Sequence, residues 1–207
     1  MKFLNQYRFI FLGVLLLFTN SQVLAEAKLS QLLNNLQTSR ANFTQTIMNS
    51  RGQILQQISG KMTIQRPGCF RWEVMQPNKQ LLIADGQRIL FYDIDLQQIT
   101  IQKQKTVDTD SPAALLSESP KNLTQLFVIR PLMGVQGFTL FPKNKNALFQ
   151  SITLIFQKDR LHEMCLTDKL GQQTVINFSQ VELNPYLPAK TFQFVMPKDQ
   201  NIEIVKG

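Results

Sequence analysis

A chain of 207 residues with 43% apolar and 17% charged residues can bury the core of one moderately sized domain, which excludes an intrinsically disordered chain. Its 22 Lys and Arg against 14 Asp and Glu give a net charge of +8, with the cations dispersed and no cluster beyond the Lys103/Lys105 and Lys143/Lys145 pairs. Such a surface is well solvated and drawn to an anionic membrane or an acidic partner, and with no nucleic-acid-binding motif in the chain, nucleic acid is not an expected partner.

The first 25 residues read as a secretory signal. Lys2 and Arg8 form a positive start, Phe9 to Phe18 is an apolar run broken only by Gly13, and Val23-Leu24-Ala25 places small residues for cleavage after Ala25. The apolar run is too short to span a bilayer. Cleavage leaves residues 26–207 as a single exported domain with 20 cations, 14 anions and a net charge of +6. Position 26 is Glu and no Cys precedes Cys69, so the reading is of a protein that carries no lipid anchor of its own.

Leu29, Leu32, Leu33 and Leu36 recur at helical spacing and predict a helix over Ala27 to Ser39. The period then changes to two. Phe43 to Met48 reads as a strand, Asn49 to Gly52 as a turn, and Ile54 to Gln65 as a long strand with a bend or bulge at Gly60. Arg66-Pro67-Gly68 is a tight turn, since Pro pre-sets φ and Gly accepts positive φ. Behind it Phe70, Trp72 and Val74 alternate with Cys69, Arg71 and Glu73, which puts large apolar groups on one face. Arg66 stands at the mouth of that hairpin, a cation with five fixed donors beside an aromatic surface.

Leu81 to Ala84 and Arg88 to Asp93 form a hairpin around Asp85-Gly86, and Leu96 to Gln102 follows as a strand. From Lys103 to Asn122 the periodicity fails. Inside this polar stretch lies an apolar island, Pro112-Ala113-Ala114-Leu115-Leu116, where Ser111 can cap a short helix with Pro112 at its first position. Leu123 to Phe127 reads as a second short helix, and the whole region as a lid. Strands resume at Gly137 to Phe141, Ser151 to Phe156, Leu161 to Thr167, Gln172 to Leu183 and Thr191 to Val195. About eleven strands at this spacing predict a mainly β (α+β) chain, an antiparallel barrel or sandwich with its helices on the open side of a curled sheet.

The chemistry of catalysis is missing. His162 stands alone, so no zinc motif forms, and no Gly-rich phosphate loop or nucleophile elbow occurs. Asp93 and Asp95 read as turn charges, and Asn42, Asn122 and Asn177 as chance glycosylation matches. No enzyme activity, metal or cofactor is expected. Cys69 and Cys165 are either two thiols or a disulfide, and spacing does not decide between them. What the chain does carry is 15 Phe and one Trp, more large apolar groups than a sheet covered by short helices needs. They suggest an interior left partly empty, lined by Phe70, Trp72, Leu82, Leu90 and Tyr92 with Leu33 and Leu36 of the leading helix, and closed by the lid.

Ala41-Asn42-Phe43-Thr44-Gln45, Gln65-Arg66-Pro67 through Phe70-Arg71-Trp72, Gln76-Pro77, Asp85-Gly86, Leu90-Phe91-Tyr92 and Ser111 to Leu116 are together similar to the periplasmic outer-membrane lipoprotein carrier family, LolA. The chain departs from that pattern at Cys69, at Leu90 and at the small Ala113 and Ala114. The resemblance implies a half-open, eleven-stranded antiparallel barrel under a helical lid, and a periplasmic monomer without cofactor. It implies acylated lipoproteins as cargo, received from an inner-membrane ABC transporter and handed to an outer-membrane receptor. It makes Arg66 the lid latch, donating to backbone carbonyls around Pro112, Ala113, Ala114, Leu115 and Leu116, and gives Phe70, expected at the rim, a part in one-way transfer. The rival expectation is a periplasmic carrier or sensor of small lipids on the same fold.

Overall fold

Twelve strands make one continuous sheet in the computed structural model, which describes residues 22–104, 111–197 and 202–206. In chain order they are β1 (Thr38–Met48), β2 (Ile54–Gln65), β3 (Cys69–Gln76), β4 (Gln80–Asp85), β5 (Arg88–Asp93), β6 (Gln98–Lys103), β7 (Phe127–Pro131), β8 (Gly137–Pro142), β9 (Phe149–Gln157), β10 (Arg160–Asp168), β11 (Gln173–Leu183) and β12 (Glu203–Lys206). Their spatial order is β12-β6-β5-β4-β3-β2-β1-β11-β10-β9-β8-β7. Every pairing is antiparallel except β12 with β6. Helix α1 spans residues 22–34, and α2 (Pro112–Ser117) and α3 (Pro120–Leu126) lie between β6 and β7.

The period of two sorts the side chains onto two faces. On the concave face, Phe43, Met62, Ile64, Phe70, Trp72 and Phe178 pack with Leu29, Leu32, Leu33 and Leu36 of α1 and with Ala113 to Leu116 of α2 in one continuous cluster. A second, smaller cluster covers the convex face of β3 to β6, where Leu81, Ile83, Tyr92 and Ile99 pack against Phe192 and Phe194 of the C-terminal segment. Gly60 lies where the β2·β3 register shifts, as the bulge reading expects. A Cβ there would sit 1.9 Å from the Glu73 carbonyl oxygen and 2.7 Å from Cζ of Phe43. The missing side chain lets Phe43 lie across β2 and stack on Trp72, with ring centroids 4.1 Å apart.

Four expectations are corrected. The leading helix occupies 22–34, not 27–39, because tertiary bonds pull the chain into extension. Asn184 Oδ1 accepts from the N–H groups of Gln37 and Thr38, Arg66 N–H donates to the Gln37 carbonyl, and Thr38 pairs with Gln65. Phe127, read as helix, opens β7 instead. Thr191 to Val195 is not a strand: residues 189–192 form a short 3-10 turn, and Phe192 and Phe194 dock on the convex cluster. The strands β7 and β12 were not expected, so the sheet has twelve strands rather than eleven.

Residues 1–21 of the expected signal lie outside the described residues. The helix 22–34 runs through the expected cleavage point, and Ala25 is buried against the concave cluster. Among the described residues no helix is long and apolar enough to cross a membrane.

Candidate functional site

The lid is two short helices joined at a corner. Ser111 caps α2 by accepting from the Ala114 N–H at 3.1 Å, and Ser119 caps α3 from the Asn122 N–H at the same distance, each with Pro in the first turn. Helices of six and seven residues are too short to persist on their own. Burial holds them: Ala113, Ala114, Leu115 and Leu116 are each 2% exposed or less, and the two alanines let α2 settle close to the sheet.

The β2–β3 turn fastens this lid. Arg66 donates through Nε to the Glu118 carbonyl at 3.1 Å, at the corner between α2 and α3. Through Nη1 it reaches the Leu36 carbonyl at 2.5 Å and the Leu33 carbonyl at 3.5 Å, where α1 ends. Leu36 and Glu118 lie past the ends of their helices, where carbonyls are open to outside donors, while the Leu33 carbonyl also accepts from the Leu36 N–H at 3.1 Å; a cation there also complements the helix dipole. The expected partners around Pro112 to Leu116 are therefore corrected: Arg66 reaches the Glu118 carbonyl, just past the end of α2, because carbonyls in the first turns of the helix are turned into its own ladder. Arg66 is half-buried as a residue, but its guanidinium is enclosed between the helices, and that desolvation lowers its pKa to about 10.

Neighbouring groups reinforce the fastening. Gly68 N–H donates to the Ser117 carbonyl at 2.9 Å, and Gln104 ties the Gly68 carbonyl to the Gly86 N–H at 2.8 and 3.1 Å. The Glu118 carboxylate accepts from the Ser119 N–H and the Asn122 amide. Gly68, Gln104 and Glu118 were not anticipated, and no local pattern marks them, because each acts through a contact distant in sequence.

Under the lid the interior is nearly full. Trp72, stacked on Phe43, also meets Phe178 edge-on at 6.5 Å. Phe43 and Phe178 were missed as lining residues, although the alternation of their strands put them on the same face. Beyond Trp72 a cleft of about 170 Å³ opens between Leu82, Pro112, Ala113, Phe149 and Leu166. That is below the 300–1,000 Å³ usual for a small-molecule site. Leu33, Leu36, Phe70, Trp72 and Leu82 all belong to this concave side.

Leu90 and Tyr92 do not. Leu90 pairs with Ile83 and Tyr92 with Leu81, so both point to the convex face, where Tyr92 meets Phe194 edge-on at 5.5 Å. Parity makes this unavoidable, since Leu82 and Ile83 face opposite ways and Leu90 follows Ile83. Phe70 is 1% exposed and lies deep in the core, not at a rim. A cleft of about 750 Å³ lies on the convex side, but Gln65, Asp85, Gln87 and Arg88 make its wall polar.

Cys69 and Cys165 are free thiols. Both are on the convex side, and β2, β1 and β11 stand between their strands. Burial first, and then Asp85 for Cys69 and Glu163 for Cys165, raise their pKa values. Among the described residues no three His, Cys, Asp or Glu side chains gather as a metal site would require.

Fold and site define a β protein whose curved sheet encloses an apolar interior beneath short helices, with an arginine guanidinium enclosed between them. The chain belongs to the LolA family: the family described as outer membrane lipoprotein carrier protein LolA matches residues 34–195. It is 39% identical over 178 residues to an outer-membrane lipoprotein carrier protein of Pseudomonas fluorescens, covering 85% of this chain and 86% of that one. With the protein of the same name from Pseudomonas aeruginosa it shares 40% over 175 residues, 84% of each chain. An uncharacterized conserved protein from Thermus thermophilus has the same fold at a TM-score of 0.52 and 12% identity, over 87% of this chain and 99% of that one.

Proposed function

We propose that this protein is a periplasmic chaperone that takes acylated lipoproteins from an inner-membrane ABC transporter, shields their acyl chains, and passes them to an outer-membrane receptor. The observation that carries the reading is the contrast between cover and interior. The lid, held down by burial, is fastened at its edge by a few polar bonds from Arg66 and Gly68 to carbonyls, while the interior it covers is mostly apolar. Family membership and the lipoprotein carriers it resembles support the same cargo.

The energetics explain the design. Each buried CH₂ is worth about 0.8 kcal/mol, so one acyl chain of about sixteen carbons left in water costs on the order of 10 kcal/mol. Unaided crossing of an aqueous space is then negligible. A permanently open apolar pocket would remove this barrier but would hold the chains too tightly to release them. Here the cleft of about 170 Å³ is too small for such chains, so loading has to lift α2 and α3 out of the concave face. Cargo burial then works against the re-burial of Leu115, Leu116 and Leu123, which offsets part of the gain and keeps the cargo releasable. The carrier acts as a monomer and makes no covalent bond to its cargo.

The test is a release assay. Spheroplasts loaded with labelled lipoprotein are incubated with the purified exported protein, and the supernatant is analysed for a complex. A one-to-one complex of protein and labelled lipoprotein is the expected result. Absence of that complex, with binding of a fluorescent fatty acid intact, would replace the reading with a carrier of small lipids.

A further inference from the structure

We infer that the rim of the sheet beside the open cleft docks on an anionic lipid bilayer, through three adjoining turns that present aliphatic tips among cations. The turns are residues 49–53 between β1 and β2, 143–148 between β8 and β9, and 169–172 between β10 and β11. Strand directions put them at one end of the molecule, since Met48 pairs with Gln173 and Asp168 with Phe149. They touch one another: a Cβ on Gly171 would stand 3.2 Å from Cβ of Ser50, and Lys169 Nζ donates to the Lys145 carbonyl at 2.8 Å. The turns form one contiguous surface.

Its composition is unusual for a surface facing only water. Leu170 is 86% exposed, Leu148 60%, and Ile54 and Leu55, at the start of β2, 59% and 57%. Arg51, Lys143, Lys145 and Lys169 stand among them, and all are exposed. The three turns hold no carboxylate; the one beside them, Asp168 at the end of β10, is spent on the N–H groups of Leu170 and Gln172 at 2.8 and 2.9 Å. Four cations against one anion give the patch a net charge of +3. Burying exposed aliphatic tips to the headgroup boundary while lysines stay among lipid phosphates is how interfacial segments hold an anionic membrane. The core of a protein interface would instead be poor in Lys and rich in aromatic groups, and this patch has no aromatic residue.

The position of the patch gives it a use. Phe149, Leu166 and Thr174 line the cleft under the lid and lie within two residues of Leu148, Asp168 and Gln172. A bilayer seated on this rim would continue the apolar interior, so that an acyl chain could pass between membrane and cleft without meeting bulk water. That use rests on the carrier reading; the membrane contact itself does not.

The experiment is co-flotation of the purified exported protein with vesicles of phosphatidylethanolamine alone or with one-third phosphatidylglycerol, in low and in high salt. Binding is expected only to the phosphatidylglycerol vesicles, weakened by salt as a contact between exposed charges must be. Removing each cation should lower the affinity roughly five-fold, so Lys145→Gln with Lys169→Gln should lower it about 25-fold. Leu148→Ser with Leu170→Ser should abolish flotation; both residues are exposed, so the variants should fold, which circular dichroism checks. No binding to either vesicle, or binding that the four substitutions leave unchanged, overturns the inference. If the protein binds no vesicle but still forms the soluble lipoprotein complex, the carrier reading stands and the patch belongs to a protein partner. If it binds vesicles but forms no such complex, the carrier reading fails and the membrane contact stands.

Discussion

Replacing Arg66 with Leu should leave a folded protein that accepts lipoprotein and fails to deliver it. The guanidinium makes two short bonds, to Leu36 and Glu118, and a long one to Leu33. A hydrogen bond from a charged donor contributes roughly 1.5–3 kcal/mol, so the two short bonds together contribute about 3–6. Against this stands desolvation. Burial that lowers its pKa to about 10 corresponds to roughly 3 kcal/mol at 1.36 per unit. The two terms nearly offset, so the variant should lose no more than about 2–3 kcal/mol of global stability.

The lid equilibrium is different, because only the Glu118 bond is broken when α2 and α3 lift while Arg66 stays with α1. Its loss destabilises the closed lid by about 1.5–3 kcal/mol, which multiplies the open-to-closed ratio by roughly 10 to 150. A carrier that closes less readily holds its cargo more tightly by the same factor. The assay loads wild type and variant with labelled lipoprotein, adds outer-membrane vesicles, and follows the label from the soluble to the membrane fraction. Hydrogen exchange of the α2 amides, measured without cargo, reports the lid directly. Wild-type transfer together with wild-type protection of α2 would refute the reasoning, since the lid would then be held by burial alone.

Gly60→Ala should destabilise the protein by more than about 1–3 kcal/mol, because its Cβ meets the Glu73 carbonyl at 1.9 Å, and backbone cannot move aside as a side chain can. Displacement of Phe43 from Trp72 would appear as a shift in the fluorescence of the one tryptophan, and an unchanged spectrum and melting curve would count against the packing described. Phe70→Ala should cost about 3–5 kcal/mol in denaturant unfolding, and Phe70→Glu should not fold, since the site is closed to water; a folded Phe70→Glu variant would return this residue to a rim. The latch should be insensitive to pH between about 5 and 9, as read by exchange of α2 corrected for intrinsic rates, because Arg66 is charged in folded and unfolded chains throughout that range. Only above about 10, up to the ordinary arginine range, does the unfolded chain hold a proton that the folded chain lacks, and there this group's contribution to stability rises with pH. Cys69 and Cys165 should alkylate more slowly with iodoacetamide at pH 8 than a free peptide thiol, since burial raises both and disfavours the thiolate; equal rates would place them in solvent.

Local pattern was enough to reveal most strands and the first lid helix with its Ser111 cap, while the second helix, read as starting at Leu123, begins at Pro120 under a Ser119 cap that went unread. These features depend on neighbours in sequence: alternation places Phe70 and Trp72 on one face, and Ser111-Pro112 marks where a helix starts. Gly60 was legible for the same reason, as an interruption in an otherwise regular strand.

Tertiary structure decided everything that depends on which carbonyl or face lies nearby. Arg66 could be seen to need acceptors, but only folding brings Leu36 from one side and Glu118 from the other within its reach. Leu90 and Tyr92 are as apolar as Leu82, and only the pairing register sends them to the convex face, where the C-terminal segment covers them. Residues 191–195 alternate like a strand yet find no strand to pair with, whereas residues 203–206 find β6. Alternation tells a chain that it has two faces; which face encloses the interior is settled by the sheet's curvature and by the helices that fill it.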